Sequence, residues 1–264
     1  MDKSLTTIVT CYFEITSKHT INKYTQWMDN MLSNIETPMV IYCDLKSKEK
    51  ITRFRNKYLN NTVIHTTDFD QFYTKKWETQ FNQHWNIDPE KGIHNPKLYM
   101  IWAEKSNFLK RTAEENPFNS QYFMWCDIGC FRNRYGLKDI PLDKIRNWPN
   151  PKKVSLIPRD KICLTQTGTF PILCCKLMEN GLTEKEFTNV PASIGGTMFI
   201  GSKEAVNEWH CKYYQTLQKF VDNNRFIGKD QNIMANIYIA YPDLVAKFDP
   251  NYGDPWFYFH WLFI

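Results

Sequence analysis

The stretch Tyr122-Phe123-Met124-Trp125-Cys126-Asp127-Ile128-Gly129 decides the fold. Five uncharged residues in a row, three of them aromatic, read as a strand covered on both faces, because a strand with one wet face would alternate polar and apolar. Runs of the same kind lie upstream at Thr6–Tyr12, Met39–Cys43 and Thr62–Thr66. Between them Ile21, Tyr24, Met28, Met31 and Ile35 recur at helical spacing, and that helix should end before Pro38. Residues 47–58 form a charged helix, and residues 68–95 read as a loop with a helix or two. Pro96 suits a first helical turn. Leu98, Ile101, Trp102, Lys105, Phe108 and Leu109 continue that helix on one face. Strand and helix in alternation predict an α/β chain with a mostly parallel sheet flanked by helices, of the Rossmann type.

The back half is more mixed. Residues 154–157 and 197–200 read as strands. Ser202 caps a long helix whose apolar side is Ala205, Trp209, Tyr213, Leu217 and Phe220. Asp230–Ala240 is a shorter helix halted by Pro242. No linker rich in Pro, Gly or Ser divides the chain, so residues 1–264 are expected to form a single domain. Its front half, 1–130, is of the nucleotide-binding type, and its back half, 131–264, is of the acceptor-binding type.

Composition narrows the function classes. Charged residues are 23% and hydrophobic ones 42% of 264, a globular balance that excludes a disordered chain. The net charge of +5 comes from scattered Lys and Arg. A basic arm for nucleic acid is therefore not expected, whereas a groove for an anionic small molecule is compatible. Aromatic residues reach 16%, enough for a large core or for surfaces that stack on sugars or bases. Eight cysteines form no C-x-x-C pair, which favours buried free thiols in a reducing compartment over a disulfide scaffold. No apolar run follows Met1, and the most apolar segment, residues 256–264, falls far short of the ~20 residues a membrane span needs. A cytoplasmic chain without a transmembrane segment is expected.

Open α/β sheets bind ligands beyond the carboxyl ends of their strands. Asp127 stands there, where a carboxylate can hold a divalent cation, and Gly129 permits close approach; a plain loop acid is the bland reading. Lys97 opens the helix before that strand, where an ammonium and a helix N-terminus can share a phosphate, or where a lysine simply meets solvent. Gly195 and Gly196 enter a strand and either admit a ligand or make a turn. Asp230 and Gln231 open a helix, and Asp230 is either functional or an N-cap. His260 lies among five aromatic residues, company in which a histidine is more often packed than ligating.

The order of these parts resembles the GT-A class of nucleotide-sugar glycosyltransferases. Pro96-Lys97-Leu98 followed by residues 123–129 is similar to the motif block of glycogenin-like and lipopolysaccharide-galactosyltransferase-like enzymes. Residues 7–13, residues 122–132 and Gly228-Lys229-Asp230-Gln231 are similar to the bacterial HtrL/WlaTC glycosyltransferase-like family. The resemblance implies a metal-assisted hexosyltransferase that takes a sugar from a nucleotide-diphosphate donor, a UDP-sugar by expectation, to a glycan or glycolipid acceptor, tilted toward retention. It implies Asp127 and His260 as ligands of Mn²⁺ (or Mg²⁺), with Gly129 standing where a second acid is usual. It places Thr10, Cys11 and Tyr12 by the base and ribose, Lys97 by the diphosphate, and Asp230 and Gln231 by the transferred sugar. In an inverting reaction Asp230 is the candidate base; in a retaining one it orients donor or acceptor. The rival reading is a catalytically inactive GT-A-like carbohydrate-binding domain that has lost its metal site.

Overall fold

All four strands read from the front half form, and they build one side of a single sheet. The computed structural model describes residues 5–132, 142–187, 193–250 and 253–264. Along the chain it runs β1 (Thr6–Tyr12), α1 (Ile21–Leu32), β2 (Met39–Cys43), α2 (Leu45–Phe54), β3 (Thr62–Thr66), α3 (Glu78–Trp85), α4 (Pro96–Glu115) and β4 (Tyr122–Cys126). There follow α5 (Pro151–Val154), β5 (Ile162–Thr165), β6 (Met198–Ser202), α6 (Lys203–Asp222), α7 (Asp230–Ala240), β7 (Val245–Phe248) and α8 (Tyr258–Leu262). The seven strands lie in the order β3-β2-β1-β4-β6-β5-β7. Strands β3, β2, β1 and β4 pair in parallel, β6 is antiparallel to both β4 and β5, and β5 is parallel to β7.

The uninterrupted apolar runs have the expected cause. In β4, Phe123 and Trp125 join the core shared with α4, α6 and α7, while Tyr122, Met124 and Cys126 join the core under α1 and α8. Each face is dry, so neither can carry charge. Asn95 caps α4 by accepting from Leu98 N, with Pro96 in the first turn, and Ser202 caps α6 by accepting from Ala205 N. The two long helices are tied together by Trp209 Nε1, which donates to Ser106 Oγ at 2.9 Å, and by the Tyr214 hydroxyl, which donates to Ala103 O at 2.8 Å.

Three sequence expectations need correction. Residues 154–157 are not a strand: Asn150 caps a helical turn begun by Pro151, and the chain turns on through Ile157. The helix expected over 47–58 begins at Leu45, because the Asp44 side chain accepts from Ser47 N, and it gives way after Phe54 to a 3₁₀ segment over Asn56–Asn61. Strands β5 and β7, four residues each, were not foreseen. Among the described residues no helix is long and apolar enough to cross a membrane.

Candidate functional site

Strand order reverses between β1 and β4, since β1 continues to β2 on one side while β4 starts the return path on the other. Crevices at such a switch point, beyond the strands' carboxyl ends, are where open α/β sheets take ligands. Asp127 follows β4 at that edge. Its backbone N–H donates to Thr197 O at 2.8 Å, and its Oδ1 accepts from Trp125 Nε1 at 2.8 Å. The side chain therefore keeps the alternation of the strand and turns to the α4 side.

The centre of the cluster is a residue that the sequence placed only on an apolar helix face. Lys105 of α4 is nearly sealed from solvent, at 4% exposure. Its ammonium stands 3.2 Å from Asp127 Oδ1, 3.0 Å from Asp230 Oδ2 and 2.8 Å from Gly196 O. Three oxygens thus surround the ammonium, of which Gly196 O accepts a hydrogen bond from it. Burial by itself would lower the Lys105 pKa, but the two carboxylates outweigh it and hold the ammonium firmly charged. Burial pushes Asp230 above the ordinary carboxylate range; Lys105 opposes that shift and Asp127 adds to it.

Three of the residues singled out from sequence meet here: Asp127, Gly196 and Asp230. Gly196 is needed for its missing side chain, because a Cβ would lie 2.9 Å from Asp230 Oδ2. Gly195 packs against Thr167, with a Cβ position 3.0 Å from that methyl group. Asp230 is the first residue of α7; the N-cap is Lys229, which makes no side-chain cap. Thr10 and Cys11 are buried in β1, and the Cys11 thiol is pushed up first by burial and then by the nearby Asp127 charge. Tyr12 is buried too, its ring 6.1 Å from that of Tyr24, and burial raises its hydroxyl to about 12.

Lys97 and His260 lie apart from that cluster. Lys97 Nζ sits over the Phe69 ring, 5.1 Å from its centroid, and makes no ion pair with Asp127 or Asp230. His260 is fully buried among Phe131, Trp148 and Phe257, with ring centroids 4.2 to 5.7 Å away. Neither of its ring nitrogens has a partner, and burial lowers its pKa to about 3, so the imidazole is neutral. It belongs to the core under α1 and α8, whereas the Asp127 carboxylate faces α4; no hydrogen bond joins them. The tail does return to the sheet edge, as Thr197 Oγ1 donates to Trp256 O at 2.5 Å. A Cβ on Gly129 would lie 3.1 Å from Trp27 Cε3, so the usual place of a second acid is filled by α1.

A second polar cluster, unforeseen from sequence, lies between α3 and α4. Asp88, Glu90 and His94 present three ligand atoms close enough together for one cation. The Asp88 carboxylate accepts from the Tyr99 hydroxyl, from Glu90 N at 2.8 Å and from His94 Nδ1 at 2.8 Å. Glu90 in turn pairs with Lys229 at 2.5 Å, which braces the start of α7 beside Asp230.

Fold and cluster together define an α/β protein with a mixed-charge site at the switch point of its sheet. The chain belongs to the family described as "Bacterial protein of unknown function (HtrL_YibB)", whose match covers residues 4–264. No curated protein matches it. Among solved structures it is similar to the crystal structure of mouse xyloside xylosyltransferase 1 in its apo form, at 10% identity and a TM-score of 0.48, over 92% of this chain and 84% of that one.

Proposed function

We propose that this protein is a hexosyltransferase that moves a sugar from a nucleotide-diphosphate donor, UDP-linked, to a glycan or glycolipid acceptor. The observation that carries the reading is the convergence of Asp127, Gly196 and Asp230 on the Lys105 ammonium beyond the carboxyl end of β4. In this reading residues 1–130 of one domain hold the nucleotide, with Thr10, Cys11 and Tyr12 lining its base and ribose, and residues 131–264 hold the acceptor. Free thiols, six of the eight buried, favour a reducing, cytoplasmic setting.

Lys105 acts by position: it fixes both carboxylates. Asp230, made more basic than an ordinary carboxylate by burial, takes the acceptor's hydroxyl proton if the anomeric configuration inverts, and orients the sugar with Gln231 if it is retained. Mn²⁺ or Mg²⁺ belongs to the proposal through the Asp127 carboxylate, but His260, although neutral and without a hydrogen-bond partner, is packed on the opposite face of the sheet and does not fit as its second ligand. Such a cation would stabilise charge on the departing diphosphate. The closed space at Gly129 favours a second reading, a carbohydrate-binding domain without activity. The test is product formation from a panel of nucleotide sugars, with and without Mn²⁺. Turnover lost in Asp127→Asn and Asp230→Asn supports transfer. Sugar binding without any turnover, across all donors, supports the second reading.

A further inference from the structure

Lys105 is committed to two carboxylates and Lys97 leans on Phe69, but among the described residues another cation, beside the turn that follows Asp127, has donors to spare. Arg132 follows the Asp127-Ile128-Gly129 turn, and that turn is fixed by Cys130 N donating to Asp127 O at 3.0 Å and Arg132 N donating to Cys130 O at 2.8 Å. Asn30 of α1 donates to Phe131 O at 2.9 Å and pins the segment from the other side. The Arg132 guanidinium then lies over Trp27, 4.4 Å from the ring centroid, with Phe257 of the tail 5.7 Å away. Its side chain makes no hydrogen bond and no ion pair among the described residues.

A guanidinium held over a ring by its face keeps its N–H edge for another partner, and its fork matches phosphate oxygens in pairs. Among the described residues nothing acidic pairs with it. His19, whose ring meets Trp27 edge-on at 4.9 Å, has its pKa lowered by burial and then by Arg132, Lys23 and Lys18, so positive charge gathers on this side. Gly129 lies directly beneath the pair, with the Arg132 Nη1 atom 3.7 Å from where a Cβ would stand. A side chain there would intrude between ring, guanidinium and turn, which gives the Asp-x-Gly sequence a reason of its own.

We propose that Arg132, seated on Trp27, is a binding site for a diphosphate-class anion. In the transferase reading, on which this last step rests, that anion is the donor's diphosphate. The two sources, inorganic pyrophosphate and a nucleoside diphosphate, are separated by the test. Titration calorimetry on the full chain uses pyrophosphate, UDP and uridine against the wild type, Arg132→Gln, Arg132→Lys and Arg159→Gln. Arg159 is an exposed arginine that pairs with Gln121 at the opposite, amino end of β4. Losing the bidentate contact weakens pyrophosphate and UDP by roughly 10- to 100-fold in Arg132→Gln, with Arg132→Lys between the two and Arg159→Gln unchanged. Because the Arg132 side chain makes no hydrogen bond or ion pair among the described residues, Tm moves little. Wild-type binding of neither anion, or a pyrophosphate affinity in Arg132→Gln equal to that of the wild type, overturns the proposal. Pyrophosphate bound through Arg132, with UDP no tighter than pyrophosphate, upholds the anion site and removes the nucleotide reading instead.

Discussion

The Lys105 ammonium stands 3.0 Å from the Asp230 carboxylate inside the protein, and the same ammonium reaches Asp127 on the neighbouring strand end. One side chain on α4 thereby binds the first residue of α7 to the edge of β4. A buried ion pair of this kind is costly to break from one side, because the partner is left charged and dry. Lys105→Met should destabilise the fold by about 3–5 kcal/mol, and adding Asp230→Asn should recover part of that loss. Urea midpoints measure both. A cost below about 1 kcal/mol for Lys105→Met would show that the cluster is wet enough to screen its own charges.

The glycines at 195 and 196 should not be equivalent. A methyl group on Gly196 meets the Asp230 carboxylate at 2.9 Å, and the carbonyl of that same residue holds Lys105. A methyl group on Gly195 meets the end of a threonine side chain, which can turn aside. Gly196→Ala is expected to cost about 1–3 kcal/mol, with Gly195→Ala the milder of the two. Thermal unfolding of the two variants side by side decides it, and an equal loss contradicts the argument.

Much of this arrangement was legible before any coordinates, and the parts that were not share a cause. The front strands declared themselves because both faces of the sheet are covered, which leaves unbroken apolar runs. Asp127, Gly196 and Asp230 stood out because strand ends and helix starts are local features. Lys105 did not, since a lysine within an apolar helix stripe is normally read as a long stem reaching for water. Only the distant Asp127 and Asp230 keep it inside, and pairing across the fold leaves no local mark. Lys97 drew attention for the converse reason: the helix start was visible, but the direction of its side chain was not. Strands β5 and β7 are four residues long and find their partners far along the chain, so nothing near them in sequence announces a strand.

Gly129 should resist substitution for reasons of space. Its φ is not in the left-handed region, so backbone strain is not at issue; the Trp27 ring 3.1 Å from the Cβ position is. Gly129→Ala forces that ring and Arg132 to shift, at about 1 kcal/mol. Gly129→Asp should cost more, since a larger side chain must enter the same space, with a pair to Arg132 offsetting part of the loss. Tryptophan emission from a Trp27-dependent band reports the shift. An unchanged spectrum with unchanged stability in both variants would mean that the space is freely available.

His260 makes the last prediction, through pH. Its imidazole is neutral in the folded state, with a pKa lowered to about 3 by burial against an ordinary value of 6.5. Above pH 6.5 the ring is neutral whether the chain is folded or not, and it adds no pH dependence. As pH falls below 6.5 the unfolded chain takes up a proton that the folded chain refuses, so stability is lost progressively until about pH 3, where the folded form would titrate. Between pH 6.5 and 4.5, before most carboxylates matter, this amounts to roughly 2 kcal/mol. His210, lowered by burial to about 4, acts in the same direction, so His210→Gln is the companion variant. In His260→Phe the ring fits the same aromatic surroundings and the acid slope over that window should flatten, while in His210→Gln it should flatten separately. The comparison is of slopes from urea titrations at each pH, which removes any constant cost of repacking. A His260→Phe variant that keeps the full acid slope would place the titration elsewhere, and would mean that water reaches the imidazole despite the rings of Phe131, Trp148 and Phe257.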